Sequence, residues 1–538
     1  MVSSWRAALV AASCLVGVVT LGACQANPGP PPVVEAKQMQ STEASSSATS
    51  TKRAPQEEVE EPATKRSTVS VGVDPLRGGL NPHLVANNSE LVSQIAELVL
   101  PSAFHGEEMD TDVLESAEEV EAPSSVAMRV RYTIASPAQW SDGTPISGSD
   151  FFYLWDKMTT TPGVNDPAGY NAISSVRTTG NGRVVTVDFS RRVADWHQLF
   201  AHLVPSHLLQ DVPFTSALAD GIPASAGRYL VRSVDRGRNV ITLNRNDRFW
   251  GQDPALIDVV QLRGIRDTNQ AVNMLRSRQV GFVDFTPEQT SLEYLGLLSN
   301  VNAGTVTRPR QLRLHLSTYE GALPEREQRR GLASLIDTAQ IARLATGRAS
   351  ELRPGDNPVA GEAGLAPLRE RAGAKPLRIG VDPTNPTALA AANAIVDVLR
   401  AQAIDAELVT ERLTTITSDL LPHGEIDAVV TWEDTTVDAI SIANHYVCAS
   451  SSRYAGDVSG FCPEDAAATR DKILSGQTPV EEALHGLDAL NREEVLYVPV
   501  LDETRIHALG QGIVGPGQRI EDWDSGLVSA PMWKIDEE

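Results

Sequence analysis

A chain of 538 residues with a net charge of −23 disfavours binding of nucleic acid or an anionic lipid surface by bulk electrostatics, although a local basic pocket remains compatible with it. The apolar fraction of 41% and charged fraction of 21% are those of a globular protein rather than a disordered or fibrous one. Past the N-terminal segment no apolar run approaches the ~20 residues needed to span a bilayer.

Arg6 is the only charge before Cys24, and Ala7 to Thr20 is almost wholly apolar. The sixteen residues from Ala7 to Gly22 are too few for a comfortable span, and small residues follow, as at a secretory cleavage site. Residues 1–23 therefore read as a removable signal. Leu21-Gly22-Ala23-Cys24 resembles the bacterial lipobox, which implies a diacylated Cys24 at the mature N-terminus and an extracytoplasmic, lipid-anchored protein at the cell membrane. An ordinary signal peptide with a chance cysteine is the alternative. Residues 24–67 follow as a tether, with Pro28-Gly29-Pro30-Pro31-Pro32, Ser45-Ser46-Ser47 and Glu57-Glu58-Val59-Glu60-Glu61. So few large apolar groups cannot offset the entropy of ordering. A flexible chain of that length reaches roughly 35–40 Å.

The remainder, Thr68 to Glu538, is long enough for two or three domains with their own cores. Thr68 to Val73 alternates like a half-buried strand and breaks at Asp74-Pro75. Asn88-Ser89 is a cap for a helix from Glu90 to Leu100. In Trp140-Ser141-Asp142-Gly143-Thr144-Pro145-Ile146-Ser147-Gly148-Ser149-Asp150-Phe151, the Asp-Gly-Thr-Pro run is turn chemistry. Ser149 or Asp150 is expected to cap the helix that carries Phe152, Tyr153 and Trp155.

This element resembles the W-S-D-G-x-P signature of family 5 extracytoplasmic solute-binding proteins, the oligopeptide- and dipeptide-binding group of ABC importers. Further landmarks of that family follow in order: Gly169-Tyr170 with Ile173, Trp196 with Leu199-Phe200, and Leu203-Val204-Pro205-Ser206-His207. Then come Gly227-Arg228-Tyr229-Leu230, Leu243 to Asn246 before Phe249-Trp250, and Arg329 to Leu332 with Ile336-Asp337. The resemblance implies an α/β fold like the type II periplasmic binding proteins, two lobes around a cleft plus an extra subdomain. The first lobe would be discontinuous, built from about 68–110, 228–310 and 500–538. The subdomain would cover about 111–227, and the other lobe about 311–499.

That last lobe is legible without the family. Pro376 to Val381 reads as a strand. Asn385 caps a helix with Pro386 at its first position, and Leu389, Ala392, Ile395, Val396 and Leu399 form its apolar face. Ala406 to Val409 and Ile426 to Val430 supply two more strands, which predicts parallel pairing. Ligands of such sheets sit beyond the carboxyl ends of the strands, here at Asp382 to Thr387 and Thr431 to Asp434.

Trp432 and Asp434 are accordingly the leading ligand-facing candidates, with Glu433 and Asn385 beside them. Tryptophan offers a broad flat surface and an indole donor, while an acidic group can meet a ligand's amine. The family pattern there is W-x-x-D-x-x-D-P; this chain has Trp432-Glu433-Asp434-Thr435-Thr436-Val437-Asp438-Ala439, with altered spacing and no proline. A rim tryptophan with solvated carboxylates is the alternative. Once Cys14 leaves with the signal and Cys24 takes lipid, Cys448 and Cys462 remain, an even pair that predicts a disulfide worth about 3 kcal/mol. Two free buried thiols are the alternative.

Gly510 to Gly515 satisfies GxGxxG, but Pro516-Gly517 follows where a nucleotide loop needs a helix. His197, His202 and His207 are spaced by five around Pro205 and read as structural. No nucleophile motif, zinc motif or P-loop is present, so neither catalysis nor a metal nor a cofactor is expected. Two functions fit. One is a lipoprotein that captures a peptide-like or other small solute for an ABC permease. The other resembles the actinobacterial LpqW-type branch, an accessory to phosphatidylinositol mannoside and lipoarabinomannan assembly whose partner would be a membrane glycosyltransferase. The long acidic tether, the altered Trp432 segment and the cysteine pair fit that branch. So does Leu312 to Ser317, where peptide binders usually carry an asparagine.

Overall fold

A computed structural model describes residues 66–359, 361, 363–450, 455–517 and 519–536. The signal, Cys24 and all but the last residues of the tether lie outside the described residues.

The first strand, Thr68–Val73, sits between Val259–Gly264 and Phe282–Phe285 and pairs with both in parallel. A strand flanked on both edges and covered on both faces buries more than an alternating pattern implies, and Val71 is fully buried. Gly72 is required here: a Cβ would come within 2.4 Å of Ile265. These strands belong to a ten-stranded sheet. Its order is Ala406–Thr410, Leu377–Val381, Ala428–Asp434, Asn302–Leu316, Tyr497–Leu509, Phe282–Phe285, Thr68–Val73, Val259–Gly264, Val240–Arg245 and Tyr229–Asp235.

Two long strands hold this sheet together. Asn302–Leu316 and Tyr497–Leu509 run antiparallel, and their register shifts between Thr307 and Gln311. On one side of the shift Phe282–Phe285 joins Tyr497–Leu509 at Ile506 to Leu509. On the other, Ala428–Asp434 joins Asn302–Leu316 at Arg310 to Leu316. The same two strands thus serve two separate cores. The second of these is the lobe read from the pattern: Leu377–Val381 is buried throughout and pairs in parallel with Ala406–Thr410 and Ala428–Asp434. Asn385 caps the Pro386–Ala401 helix as expected, its Oδ1 accepting from Ala388 N at 3.0 Å. Ala392, Ile395, Val396 and Leu399 are buried and Leu389 is half-buried.

A separate four-stranded antiparallel sheet is ordered Leu114–Val120, Met128–Ile134, Val184–Phe189, Ile173–Thr179. The Gly148–Thr160 helix contacts two of these strands, and the expected cap is corrected there. Ser147 is the N-cap and Asp150 closes the capping box, its Oδ2 accepting from Ser147 N at 2.9 Å. Extended backbone at Ser147 frees its side chain for the first turn, whereas Ser149 and Asp150 are already helical. Asp150 also accepts from Ser206 N and Oγ at 3.0 and 2.7 Å, and Trp140 beside it is fully buried. The signature that carries the family resemblance is thus a structural staple.

Helices Ala439–Asn444, Ala466–Leu474 and Val480–Glu494 share their apolar core with this smaller sheet. Ala194 N donates to Leu474 O at 2.7 Å and Arg191 pairs with Asp471 at 2.8 Å. A disulfide joins Cys448 to Cys462, with Cα atoms 5.3 Å apart. Gly510 to Gly515 turns into the short strand Ile513–Val514, with no helix opening. His202 Nε2 lies 3.0 Å from Glu97 and His207 Nε2 2.7 Å from Asp142, while His197 sits in the 3-10 turn Trp196–Gln198.

Candidate ligand-binding cleft

The carboxyl ends of Leu377–Val381 and Ala428–Asp434 open into two adjoining cavities of about 140 and 430 Å³. Trp432 lines both, as do Thr431 and, from the segment after the first strand, Val85 and Asn88. The tryptophan is half-buried, so one part of the ring packs and the rest meets the open space. The Arg310 guanidinium lies 5.7 Å from its ring centroid, close enough for cation–π attraction that fixes the ring. Arg310 in turn donates to Glu503 Oε2 at 2.7 Å and to Asn88 O at 2.6 Å.

Asn385 lines the smaller cavity, but its Oδ1 is committed to the helix cap. Glu433 and Asp434 line the larger one. Asp434 is exposed, and its Oδ1 accepts from Thr436 N and Oγ1 at 2.9 and 2.7 Å. This is turn chemistry that still leaves one oxygen uncommitted. Glu433 is a counter-ion: its Oε2 lies 2.7 Å from Arg313 Nη1 and 3.3 Å from His315 Nε2. Burial pushes its carboxyl up, but Arg313 and the two histidines His315 and His445 outweigh that, and the net shift is down.

Several residues of this wall escaped sequence reasoning. His445 Nδ1 lies 2.5 Å from Asp457 Oδ2. Burial lowers the imidazole's pKa, yet the hydrogen bond and charge of Asp457 raise it overall. Asp457 itself is drawn down: burial opposes its ionisation, and the hydrogen bond and charge of His445 more than compensate. The ring nitrogens of buried His315 have only the 3.3 Å contact of Nε2 with Glu433; Nδ1, like Asn444 Oδ1, has no hydrogen-bond partner among the described residues. Arg313 stacks on Tyr497 at 4.2 Å. Asp166, at φ 45° in the turn Asn165-Asp166-Pro167, reaches the same cavity from the smaller sheet's side. Its side chain is open to water yet enclosed by cleft walls. That enclosure, with Asp438, Asp434 and Glu433 around it, pushes its carboxyl up to about 7. Leu312 to Ser317 lie in or just after a strand that pairs with Ala428–Asp434, and only that pairing brings Arg313 and His315 to Glu433.

The arrangement is a candidate binding site: a cleft bordered by segments from both cores, with an aromatic side chain between its two cavities and polar atoms without hydrogen-bond partners along one wall. The fold is that of the type II periplasmic-binding-protein class, two lobes around a cleft with an extra subdomain. Residues 113–451 match the sequence pattern of the bacterial extracellular solute-binding proteins, family 5, and the chain belongs to that family. It is 28% identical over 510 residues to the probable monoacyl phosphatidylinositol tetramannoside-binding protein LpqW of Mycobacterium tuberculosis, covering 82% of this chain and 76% of that one. It is 29% identical over 279 residues to the oligopeptide-binding protein OppA of Mycobacterium bovis, 49% of this chain and 46% of that one. Among solved structures it resembles AgaA of A. tumefaciens R10 in complex with agropinic acid, with a TM-score of 0.68 at 17% identity over 88% of this chain and 99% of that one. The oligopeptide-binding protein AppA of Bacillus subtilis, in complex with a nonapeptide, gives 0.66 at 13% identity over 88% and 100%. At such identities the structures establish the fold alone.

Proposed function

We propose that this protein captures a small solute or peptide in the cleft around Trp432 and, held at the membrane by a diacylated Cys24, hands it to an ABC permease. The observation that carries the reading is the position of Trp432 at the seam of two contiguous cavities, between segments that belong to different cores. Closure would bring the portions at about 68–110, 228–310 and 500–538 against those at about 311–499, bending where the two long strands lose register. Family membership and an oligopeptide-binding relative support a peptide-like cargo. The LpqW relative makes a mannosylated phospholipid the competing ligand, and with it a role in envelope assembly.

Native mass spectrometry of the full chain, purified in detergent from its own host, separates these readings. A distribution of peptide masses supports peptide import, and a glycolipid mass supports envelope assembly. An empty protein that gains no thermal stability from peptides or mannosylated lipids would refute the cleft as a binding site. The anchor is checked by Cys24→Ala, which should release the protein from the membrane fraction; unchanged association would refute lipidation at Cys24.

A further inference from the structure

The smaller cavity is lined by both acids and arginines, and most of them pair with one another; one buried arginine does not. Arg348 lines it and is 4% exposed. Its Nη1 donates to Thr504 Oγ1 at 3.1 Å and its Nη2 to the Glu351 carbonyl at 2.6 Å, both neutral acceptors. No ion pair to Arg348 is formed among the described residues. Burial accordingly draws its pKa down, with the exposed Glu351 as the only charge opposing the shift. Other buried arginines show the contrast. Arg310 pairs with Glu503, Arg505 with Asp284 and Asp74, Arg329 with Glu494, and Arg378 with Asp427. A guanidinium taken out of water without a carboxylate is costly, which makes Arg348 the exception to explain.

Three further observations converge on the same space. Arg310, also on the cavity wall and 7% exposed, has a buried Nε with no hydrogen-bond partner. The sixteen-residue Pro386–Ala401 helix begins at this wall, so the positive end of its dipole faces the cavity. Arg77, from the segment after the first strand, lines the cavity too, without a hydrogen bond or ion pair among the described residues. Five carboxylates line the cavity as well, and each has partners within the protein. Asp74 pairs with Arg505, Glu90 with Arg308, and Glu503 with Arg310 and Arg505. Asp502 accepts from Gln311, and both oxygens of Asp382 are engaged, by Thr384 and by Leu413 N. At about 140 Å³ the cavity is close to the size that holds one benzene molecule. That suits a headgroup and excludes a whole peptide.

We propose that the smaller cavity seats an anionic group of the captured solute, a carboxylate or a phosphate ester, against Arg348. Arg310 Nε and the Thr387 N–H supply further donors, since Pro386 has none and Ala388 N is spent on the Asn385 cap, and Arg77 meets the group from the other side of the cleft. A planar guanidinium can grip either oxyanion with two hydrogen bonds. The proposal rests on the cleft being the ligand site and adds the chemistry of one end of the ligand.

The test titrates the full chain in detergent with succinate, inorganic phosphate and the uncharged succinamide at constant ionic strength, following thermal stability and heat. Wild type should bind one or both anions saturably and succinamide not at all. Tighter succinate indicates a carboxylate ligand, and tighter phosphate a phosphate ester. Arg348→Gln should weaken the anion at least tenfold, and Arg348→Lys, which keeps the charge but loses the fork, should fall between. No saturable anion binding by wild type, or equal affinity in Arg348→Gln, overturns the proposal. Should Arg348→Gln fail to fold, the wild-type panel and Arg348→Lys decide. A co-purified solute with no acidic group would overturn the anion seat while leaving the cleft as a binding site. An empty protein unresponsive to every ligand would overturn both.

Discussion

An acidic residue stands near each end of the strand Ala428–Asp434, one buried and one half-buried, and the two are treated very differently. Asp427, immediately before it, is fully buried and fully engaged. Arg371 donates to its Oδ1 at 2.6 Å, and Arg378 donates to its Oδ2 from Nε and from its backbone N, each at 2.8 Å. The remaining donors of both arginines end on carbonyls of Gly321, Ala322, Lys375 and Gly424. Glu433, near the other end, faces a cavity with Arg313 at 2.7 Å and His315 Nε2 at 3.3 Å, while His315 Nδ1 and the Asn444 amide oxygen beside it have no hydrogen-bond partner among the described residues. A satisfied network holds a scaffold together, and a half-satisfied one is what a binding site keeps open. The lesson is that buried charge alone does not mark function; the unfilled valences beside it do.

The comparison breaks most visibly at Asp427. Asp427→Ala strands two buried guanidiniums and should destabilise by about 3–5 kcal/mol, read as a lower urea midpoint with binding unaffected under native conditions. A midpoint within ~0.5 kcal/mol of wild type would show that this end is no more structural than the other. Trp432→Ala should do the reverse. We expect ligand affinity to fall at least tenfold while stability drops by ~1–2 kcal/mol, less than for a core tryptophan, because the ring is only partly buried. A large loss of stability would place Trp432 in the core instead.

The smallest effect concerns pH. The Asp166 carboxyl is raised from 3.8 to about 7, so between those values the unfolded chain releases its proton and the folded chain resists. Stability is therefore lost as pH rises through this window, and the deficit persists above it. Asp166→Asn removes the effect. The variant should match wild type at low pH and exceed it at pH ~8 by ~1 kcal/mol or less, since water reaches the side chain and screens the repulsion. Parallel melting curves across the window would show that the carboxylates of this cavity do not crowd one another.

Much of the second core was legible in the chain. Strand, Pro-capped helix and strand at 376–430 follow from local rules, namely apolar periodicity, a side-chain cap and proline at the first helical position. The carboxyl-end rule then pointed to Thr431 to Asp434, which do line the cleft. The Gly148–Thr160 cap was misread by two residues because Ser147, Ser149 and Asp150 are all good caps in isolation. Only the backbone conformation at Ser147 selects among them. Its place at the carboxyl end of the strand beside Trp432 makes Glu433 a ligand candidate in the sequence; that it also faces Arg313 and His315, more than a hundred residues earlier, was not legible there.

The sequence by itself determined the family, the two-lobed α/β class, the pairing of Cys448 with Cys462 and the strand ends that line the cleft. These depend on short motifs, on periodicity and on counting, all of which are local. Tertiary structure alone decided which charges are spent and which are free. Arg348 and Arg378 look alike in the chain; one meets Asp427 and the other meets only neutral acceptors. Electrostatic pairing acts over a few ångströms between residues that lie far apart in sequence, so it exists only once the lobes have folded.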